Sequence, residues 1–352
     1  MAGHRLANLL CHDDGMRLLV LGGTRFVGWA VAAAAVGRGW EVTTFNRGMA
    51  GPDAPGVHAV RGDRTRAEDV ARLAETGPWD LVVDTSGYVP CEVLAVCQRL
   101  EPVTDRYVFM STVSVYRDWP VKPLSERSEV LYCPPDAGPD YGEDVEDGPT
   151  RYGYQKSGCE LAVAQTLGAG RFACLRPGVV LGPREYVGRL PWWLRRVAAG
   201  GRVLAPGSPD RSIQPVDVRD LAAFALHGAD RDVSGALNVA APVSGETFGG
   251  MLRACADVTG SGAEFVWAGD ERLLAQGVRQ WSEMPLWRTY PGVWQVDSSA
   301  AMAAGLSCRP LAATVADTWS WLQHGGGELD DERASEIGMS RERERQVLAS
   351  IG

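Results

Sequence analysis

Tyr152 and Lys156 stand four residues apart near the start of a predicted helix, a spacing that could support acid–base chemistry. Residues four apart share one helix face, so the ammonium of Lys156 would lie near the phenol of Tyr152. A neighbouring ammonium lowers the phenol pKa from about 10, which lets the tyrosine exchange a proton with a substrate hydroxyl near neutral pH. Of the 35 lysines and arginines, only Lys122 and Lys156 are lysine. The use of lysine rather than arginine at position 156 therefore favours a catalytic role for Lys156.

A glycine-rich turn lies between the first predicted strand and the first predicted helix. Residues 22–28 read GGTRFVG, with Arg25 where a middle glycine is common. Glycine lets the backbone approach a pyrophosphate closely, and the helix N-terminus supplies amide donors. The turn therefore predicts a dinucleotide site.

The residues that end the second predicted strand bear on the choice between NAD and NADP. An NAD site usually places an acid there to hold the ribose 2′-hydroxyl, but this strand ends in Asn46 and Arg47. Arg47, together with Arg25, could meet the 2′-phosphate of NADP; the alternative is a solvated arginine. We expect NAD or NADP, with NADP favoured. Asp63, after the third strand, could bind the adenine amino group or cap the next helix.

Hydroxyl side chains follow the fifth predicted strand, at the sheet edge where ligands bind in such folds. Thr112 or Ser114 could hydrogen-bond the reacting oxygen beside Tyr152. The alternative for both is ordinary turn chemistry.

Alternation of strands and helices through the first half predicts the elements that hold these residues. This order is typical of βαβ units in a Rossmann-type, doubly wound parallel sheet, which is an α/β fold. We expect a smaller, mixed α/β substrate-binding region C-terminal to this sheet. Trp281, Trp287, Tyr290 and Trp294 are interpreted as a small core rather than a ligand box. The expected organisation is a disordered extension at 1–15, a dinucleotide-binding domain at 16–180 with an insertion loop at 117–150, a substrate region with returning Rossmann elements at 181–325, and a polar tail at 326–352, helical over 340–351 or partly disordered.

The amino-acid composition is typical of a globular protein. The 352 residues are 45% hydrophobic, enough for one large domain or two closely packed ones. The net charge of −9 argues against a nucleic-acid partner, since phosphate binding needs clustered basic residues. The sequence has no long apolar run for a membrane span, and residues 1–15 lack the apolar core of a signal peptide. Eight scattered cysteines lack zinc spacing, so we expect reduced thiols, no metal site and a cytoplasmic location.

Taken together, these residues resemble the short-chain dehydrogenase/reductases, in particular their extended and atypical NAD(P)-dependent epimerase/dehydratase branch. The resemblance covers about residues 16–322. The segments that carry it are 22–28, 111–116, the Tyr152/Lys156 pair, 175–178 with 181–183, and 218–222.

The resemblance implies roles for individual residues. Tyr152 would transfer the proton, while Lys156 would bind the nicotinamide ribose and lower the tyrosine pKa. A hydroxyl three residues before Val115 would polarise the substrate oxygen, which favours Thr112 over Ser114. Residues 177–180 would line the nicotinamide face. Relatives often dimerise through helices beside the Tyr–Lys helix, so the resemblance allows a homodimer and leaves the oligomeric state open.

The sequence also departs from the family pattern. Val113 and Ser114 replace the Asp-Glu pair of sugar-nucleotide 4,6-dehydratases, so another base would be needed, with Glu185, Asp118 and Tyr154 as candidates. Ile213 stands where nucleotide-sugar epimerases often place a diphosphate-binding arginine. The remaining candidates for binding an anionic substrate are Arg184, Arg189 and Arg211.

We therefore expect an enzyme that oxidises and re-reduces a small sugar-, nucleoside- or polyol-like substrate, with epimerisation or loss of water between the two steps. The alternatives are an NADPH-dependent carbonyl reductase and a non-catalytic dinucleotide-binding regulator or scaffold. Catalysis is assigned to Thr112, Tyr152 and Lys156. Cofactor contacts are expected at Gly22, Thr24, Arg25, Phe26, Val27, Asn46, Arg47, Asp63, Thr85, Ser111, Tyr152, Lys156, Pro177 and Val179, and substrate contacts at Ser114, Tyr154, Arg184, Glu185 and Arg211.

Overall fold

The computed structural model describes residues 15–230, 233–326 and 332–351. Residues 1–14 of the expected N-terminal extension lie outside the described residues. The strands are β1 (Arg17–Leu21), β2 (Glu41–Asn46), β3 (His58–Arg61), β4 (Trp79–Asp84), β5 (Thr104–Met110), β6 (Phe172–Pro177), β7 (Val180–Leu181), β8 (Arg202–Pro206), β9 (Ser212–Ile213), β10 (Val216–Asp217), β11 (Gly235–Val239), β12 (Glu246–Thr247) and β13 (Glu264–Ala268).

The helices alternate with the strands in the first half and dominate the second. They are α1 (Phe26–Gly37), α2 (Ala67–Ala74), α3 (Pro90–Leu100), α4 (Arg151–Leu167), α5 (Arg189–Ala198), α6 (Val218–Leu226), α7 (Phe248–Thr259), α8 (Asp270–Ala275), α9 (Ser299–Ala303), α10 (Leu311–Gln323), α11 (Glu332–Ser335) and α12 (Arg341–Ile351). None of the described helices is both long and apolar enough to cross a lipid bilayer.

Seven strands form one parallel sheet in the order β11-β6-β5-β4-β1-β2-β3. Residues 18–21 of β1 are all buried, as an uninterrupted apolar run should be when helices cover both faces of a strand. Helices α1 and α6 pack on one face, and α2, α3 and α4 pack on the other. The predicted Rossmann-type, doubly wound fold is confirmed.

The second half of the chain builds a separate apolar core from α5, α7, α10 and α12 with the parallel pair β8 and β13. Trp287 and Trp294 are buried in this core, as the interpretation of the aromatic cluster expects. Trp281 differs, because it packs against the core with one part and lines a cavity with another.

The segment 117–150 contains no helix or strand, and every one of its residues is described. It is nevertheless held in place. Val130 bridges to Tyr116, Leu124 bridges to Val296, and Leu124 and Leu131 are buried. The loop therefore has a fixed path beside the end of β5.

Candidate active site

One cavity of about 1040 Å³ lies at the carboxyl edge of the parallel sheet. Strands β1, β2, β4 and β5 end at its rim, where ligands bind in open α/β sheets. The opposite side is made by residues 186, 187, 189, 280–282 and 336–337 of the second half. The predicted residues that line it are Gly22, Thr24, Arg25, Phe26, Val27, Asn46, Arg47, Asp63, Thr85, Ser111, Thr112, Tyr152, Lys156, Pro177 and Arg189.

The glycine turn has a backbone that other residues would not adopt. Gly22 and Gly23 have φ of 111° and 91°, a region that favours glycine. A Cβ on Gly28 would lie 2.6 Å from Thr85 Oγ1 and 2.7 Å from the Gly23 amide nitrogen. Helix α1 then starts at Phe26 without a side-chain cap, so its first amides are available to an anionic group. The turn therefore leaves its backbone and the first amides of α1 open to an anionic group at the cavity.

The end of β2 is closed by hydrogen bonds around Asn46. Its amide donates to Gly22 O at 2.9 Å and to Asp53 Oδ1 at 3.0 Å, and its oxygen accepts from Gly48 N and Arg61 Nη1. Burial alone would raise the pKa of Asp53, but hydrogen bonds from Arg61, Thr44 and Asn46 bring it below its ordinary value. The Asp53 carboxylate thus reaches the end of β2 from the loop that follows the strand, a position that the sequence pattern did not indicate. It is already paired with the Arg61 guanidinium.

Two charged residues near this end have defined partners. Arg25 stacks on the Tyr186 ring, with its guanidinium carbon 5.0 Å from the ring centroid, and so reaches toward the second half. The Asp63 carboxylate accepts from Thr65 N at 2.9 Å and Thr65 Oγ1 at 2.8 Å, and these bonds lower its pKa. The N-cap of α2 is Arg66, so Asp63 does not cap that helix.

Lys156 is almost fully buried beneath the cavity. Its Nζ donates to Gly87 O at 2.8 Å and to Met110 O at 2.5 Å, at the ends of β4 and β5. The ammonium also lies over the Tyr88 ring, 5.1 Å from its centroid, and over the Phe109 ring at 4.3 Å. Burial lowers the pKa of Lys156. Its position is fixed before any ligand binds.

Helix α4 brings Tyr152 to the same cavity. Thr150 caps the helix by accepting from Gly153 N at 3.1 Å. Gly153 is needed for close approach, since its Cβ would lie 2.2 Å from Ser114 O. Tyr152 is 39% exposed and its ring centroid is 6.4 Å from that of Tyr88, so two phenols and one ammonium share this corner.

The two hydroxyl candidates after β5 differ in position. Thr112 lines the cavity, whereas Ser114 does not. Thr112 Oγ1 accepts from Ser114 N at 3.1 Å and caps the short 3-10 turn that follows. Thr112 can therefore serve both turn formation and ligand binding, and Ser114 serves the turn.

Two buried ion pairs lie close to the strand ends that border the cavity. Arg64 donates to both carboxylate oxygens of Asp84 at 2.9 Å, and the Tyr107 hydroxyl donates to the same carboxylate. Arg176 pairs with Glu160 in the same way, and Glu160 also accepts from Ser111 Oγ at 2.5 Å. These partners are distant in sequence, so spacing gave no signal for them.

The three candidates for a second base are placed away from the cavity. Glu185 is fully buried and accepts from Arg189 Nε at 2.7 Å and from Leu190 N. Asp118 pairs with Lys122 at 3.0 Å. Tyr154 packs against Tyr141 rather than facing Tyr152. In the part of the chain that the structure describes, the residues that line the cavity do not include any of these three candidates.

Three further predicted contacts also lie elsewhere. Arg184 covers the Trp29 ring at 4.3 Å, and Arg211 pairs with Asp270 and donates to Arg288 O. Val179 points into the second core, and its neighbour Val180 lines the cavity instead. The cavity gains residues that the motifs did not indicate: Arg64, Tyr88, Tyr186, Gln280, Trp281 and Glu336.

Comparison with known proteins identifies the family. The model of the NAD-dependent epimerase/dehydratase family matches residues 18–240, more than half of the chain. The chain belongs to this family. Its resemblance to the extended short-chain dehydrogenase/reductases is thereby confirmed.

Individual relatives are more distant. The chain is 27% identical over 264 residues to the chloroplast stem-loop binding protein of 41 kDa b from Arabidopsis thaliana, a match that spans 69% of this chain and 63% of that protein. WbmH of Bordetella bronchiseptica, solved with NAD+, is 19% identical with a TM-score of 0.65 and covers 89% of this chain and 100% of its own. UDP-glucose 4-epimerase of Thermotoga maritima, solved with UDP-glucose, is 16% identical with a TM-score of 0.64, over 88% of this chain and 99% of its own.

Proposed function

We propose that this family member is an NAD(P)-dependent epimerase or dehydratase that acts on a sugar-, nucleoside- or polyol-like substrate through Tyr152 and Lys156. The observation that carries the proposal is the corner where the buried Lys156 ammonium, the exposed Tyr152 phenol and Thr112 meet one cavity with the glycine turn. The solved relatives crystallised with NAD+ or a UDP-sugar support the same class of chemistry.

The residues present fit a bound dinucleotide. The glycine turn leaves a space that a Cβ at Gly28 would fill, and the uncapped start of α1 faces it. Gly22 to Val27 would hold the pyrophosphate, and Lys156 would hold the nicotinamide ribose. When bound, the nicotinamide supplies a hydride acceptor and donor for the substrate carbon.

The chain's own residues would handle the proton. Tyr152 takes the proton of the substrate hydroxyl while the carbon that bears this hydroxyl is oxidised. It returns the proton in the reverse step. Two carbonyl oxygens accept from the Lys156 ammonium, which leaves a third N–H that can be donated to a ribose hydroxyl. Thr112 hydrogen-bonds the same substrate oxygen and orients it.

We favour NADP over NAD on the environment of β2. The Asn46 side chain is engaged on both its oxygen and its nitrogen, and Asp53 is held by Arg61, so neither is placed to accept from a ribose hydroxyl. Arg47 is exposed at the cavity rim, where a 2′-phosphate would lie. This environment also supports the alternative of an NADPH-dependent carbonyl reductase.

A second candidate, binding of structured RNA, comes from the name of the Arabidopsis relative. The net charge of −9 weighs against it, because RNA binding needs a concentrated positive surface. A gel-shift titration with a stem-loop RNA at two salt concentrations tests this candidate directly.

The test of the main proposal begins with the nucleotide that the purified protein releases on denaturation, identified by mass spectrometry. A neutral-sugar, polyol and nucleoside panel is then screened for product by chromatography with that nucleotide present. Bound nucleotide that is recycled during turnover supports an epimerase or dehydratase, and stoichiometric NADPH consumption supports the reductase. Turnover that survives in Tyr152→Phe would overturn the proposed chemistry.

A further inference from the structure

A fully buried carboxylate at the end of β4 has no role in the chemistry proposed above. Asp84 accepts from Arg64 on both of its oxygens at 2.9 Å, and from the Tyr107 hydroxyl at 3.0 Å. Burial alone would raise the pKa of Asp84, but Arg64 and the Ser86 amide bring it below its ordinary value. Asp84 is therefore a buried anion in a fixed position.

This carboxylate orders the turn that follows β4. Asp84 Oδ1 accepts from Ser86 N at 3.0 Å, and Asp84 Oδ2 would lie 2.9 Å from a Cβ on Gly87. The same turn supplies two contacts to Lys156, since the Gly87 carbonyl accepts from Nζ at 2.8 Å and the centroid of the Tyr88 ring lies 5.1 Å from Nζ. A chain of contacts thus leads from Asp84 through the turn to the ammonium.

Asp84 and Lys156 are also linked by their charges. Burial lowers the pKa of Lys156, and the Asp84 carboxylate raises that pKa by more than the Arg64 guanidinium lowers it. Burial raises the pKa of the cysteine thiols nearby, so they are neutral near neutral pH. The other titratable groups on the elements around the ammonium are Tyr88, Glu92, Tyr152, Cys159, Glu160 and Cys174.

We propose that Asp84 is a positioning residue for Lys156, an inference that rests on the proposed function. It orders the turn that accepts from the ammonium, and it supplies a negative charge that keeps the buried amine protonated. A neighbouring carboxylate favours the charged form of an amine, whereas burial favours the neutral form. Lys156 can lower the Tyr152 pKa only while it carries its charge. Asp84 thereby extends upward the pH range in which the Tyr152/Lys156 pair works.

The ionisation of Lys156 can be measured directly, because the chain has only two lysines. In full-length protein labelled with carbon-13 at lysine Cε, the NMR signals of Lys156 and Lys122 each shift as the amine loses its proton. Lys122→Arg assigns the two signals, and the exposed Lys122 serves as the internal control. In Asp84→Asn the Lys156 midpoint should fall by about one pH unit or more, the size expected when a nearby opposite charge is lost.

A double variant separates the carboxylate from its partner. Asp84→Asn leaves the Arg64 charge buried and uncompensated, and that charge by itself would lower the Lys156 midpoint. Arg64→Met/Asp84→Asn removes both charges, so we expect a midpoint that still falls, but by less. Tyr107→Phe is the matched control, because it removes a hydrogen bond to the same carboxylate and keeps its charge, and it should leave the midpoint unchanged. Thermal unfolding shows whether each variant remains folded.

The outcomes separate this inference from the proposed function. A wild-type Lys156 midpoint in the double variant overturns the inference, even if a substrate is turned over through Tyr152. A lowered midpoint in a protein that turns over no member of the panel supports the link between Asp84 and Lys156 and counts against the proposed enzyme activity.

Turnover gives a second measurement of the same link. With a panel substrate, the alkaline limb of the kcat profile should move to lower pH in the double variant, because the ammonium is lost at lower pH. A limb that does not move contradicts the role of Asp84 in the reaction.

Discussion

The two sides of the cavity are held by different kinds of contact. On the dinucleotide side, four neighbouring strands end at the rim, and the glycine turn and Lys156 are fixed by backbone atoms of those strand ends. On the C-terminal side, residues 280–282 and 336–338 belong to irregular segments held by aromatic packing and by a buried ion pair between Arg196 and Glu344, 148 residues apart. The first arrangement follows from local sequence, and the second depends on long-range packing.

The largest expected effect is the loss of a buried ion pair, and each side of the cavity has one such pair to compare. Glu160→Gln leaves Arg176 without its charge partner, and Glu344→Gln does the same to Arg196. Each change should cost about 3–5 kcal/mol of the free energy of unfolding, because an uncompensated buried charge remains. Urea unfolding measures both.

The two variants should differ in ligand binding. Glu160 also accepts from Ser111 at the cavity, so Glu160→Gln should weaken NADPH binding, whereas Glu344→Gln should spare it and weaken substrate binding. Equal effects on NADPH affinity would show that the two sides are not independent.

The next effect concerns the glycine turn. In Gly28→Ala the new methyl would overlap Thr85 and the Gly23 backbone, so the turn must shift. Overpacking of this kind costs about 1–3 kcal/mol, equivalent to a rise of about 5–150-fold in the NADPH Kd. Fluorescence titration gives the Kd. Gly37→Ala, in the same helix with open space around it, is the control and should bind NADPH normally.

A smaller effect is expected at Arg47. If Arg47 meets a 2′-phosphate, Arg47→Ala should raise the NADPH Kd about tenfold and leave the NADH Kd unchanged, since one charged hydrogen bond is lost. The exposed Arg99→Ala on α3 serves as control for general charge effects. Parallel loss of both affinities would instead indicate that Arg47 acts on the fold of the rim.

The smallest effect is expected at Tyr154. Its ring packs against Tyr141 and lies outside the cavity, so Tyr154→Phe should change kcat/KM by less than about twofold, because the substitution removes no contact at the site. Steady-state kinetics with the panel substrate checks this. A large loss would return Tyr154 to the list of candidate bases.

Most residues that line the dinucleotide side of the cavity could be predicted from the sequence, because their signals are local. A strand, a glycine turn and a helix in succession indicate the pyrophosphate site, and the scarcity of lysine drew attention to Lys156. Glu185 and Asp118 were misleading as candidate bases, although a signal was present, because each has a cation four residues later, Arg189 and Lys122, that pairs with it.

The C-terminal side could not be read in this way. The sequence pattern places Trp281 with the core tryptophans, and nothing near Glu336 in sequence indicates a cavity. Their positions depend on the Gly338–Ser282 hydrogen bond and on the docking of α12 against α5. Such contacts join residues that no spacing rule connects.

The most direct test of the central claim compares Tyr152→Phe with Tyr154→Phe. Both variants are titrated with NADPH and assayed for turnover of the panel substrate. We expect Tyr152→Phe to bind NADPH like the wild type but to lose turnover by about 100-fold or more, the contribution of a proton-transfer group. We expect Tyr154→Phe to match the wild type in both measurements. Wild-type turnover in Tyr152→Phe would contradict the assignment of the Tyr152/Lys156 pair as the catalytic centre.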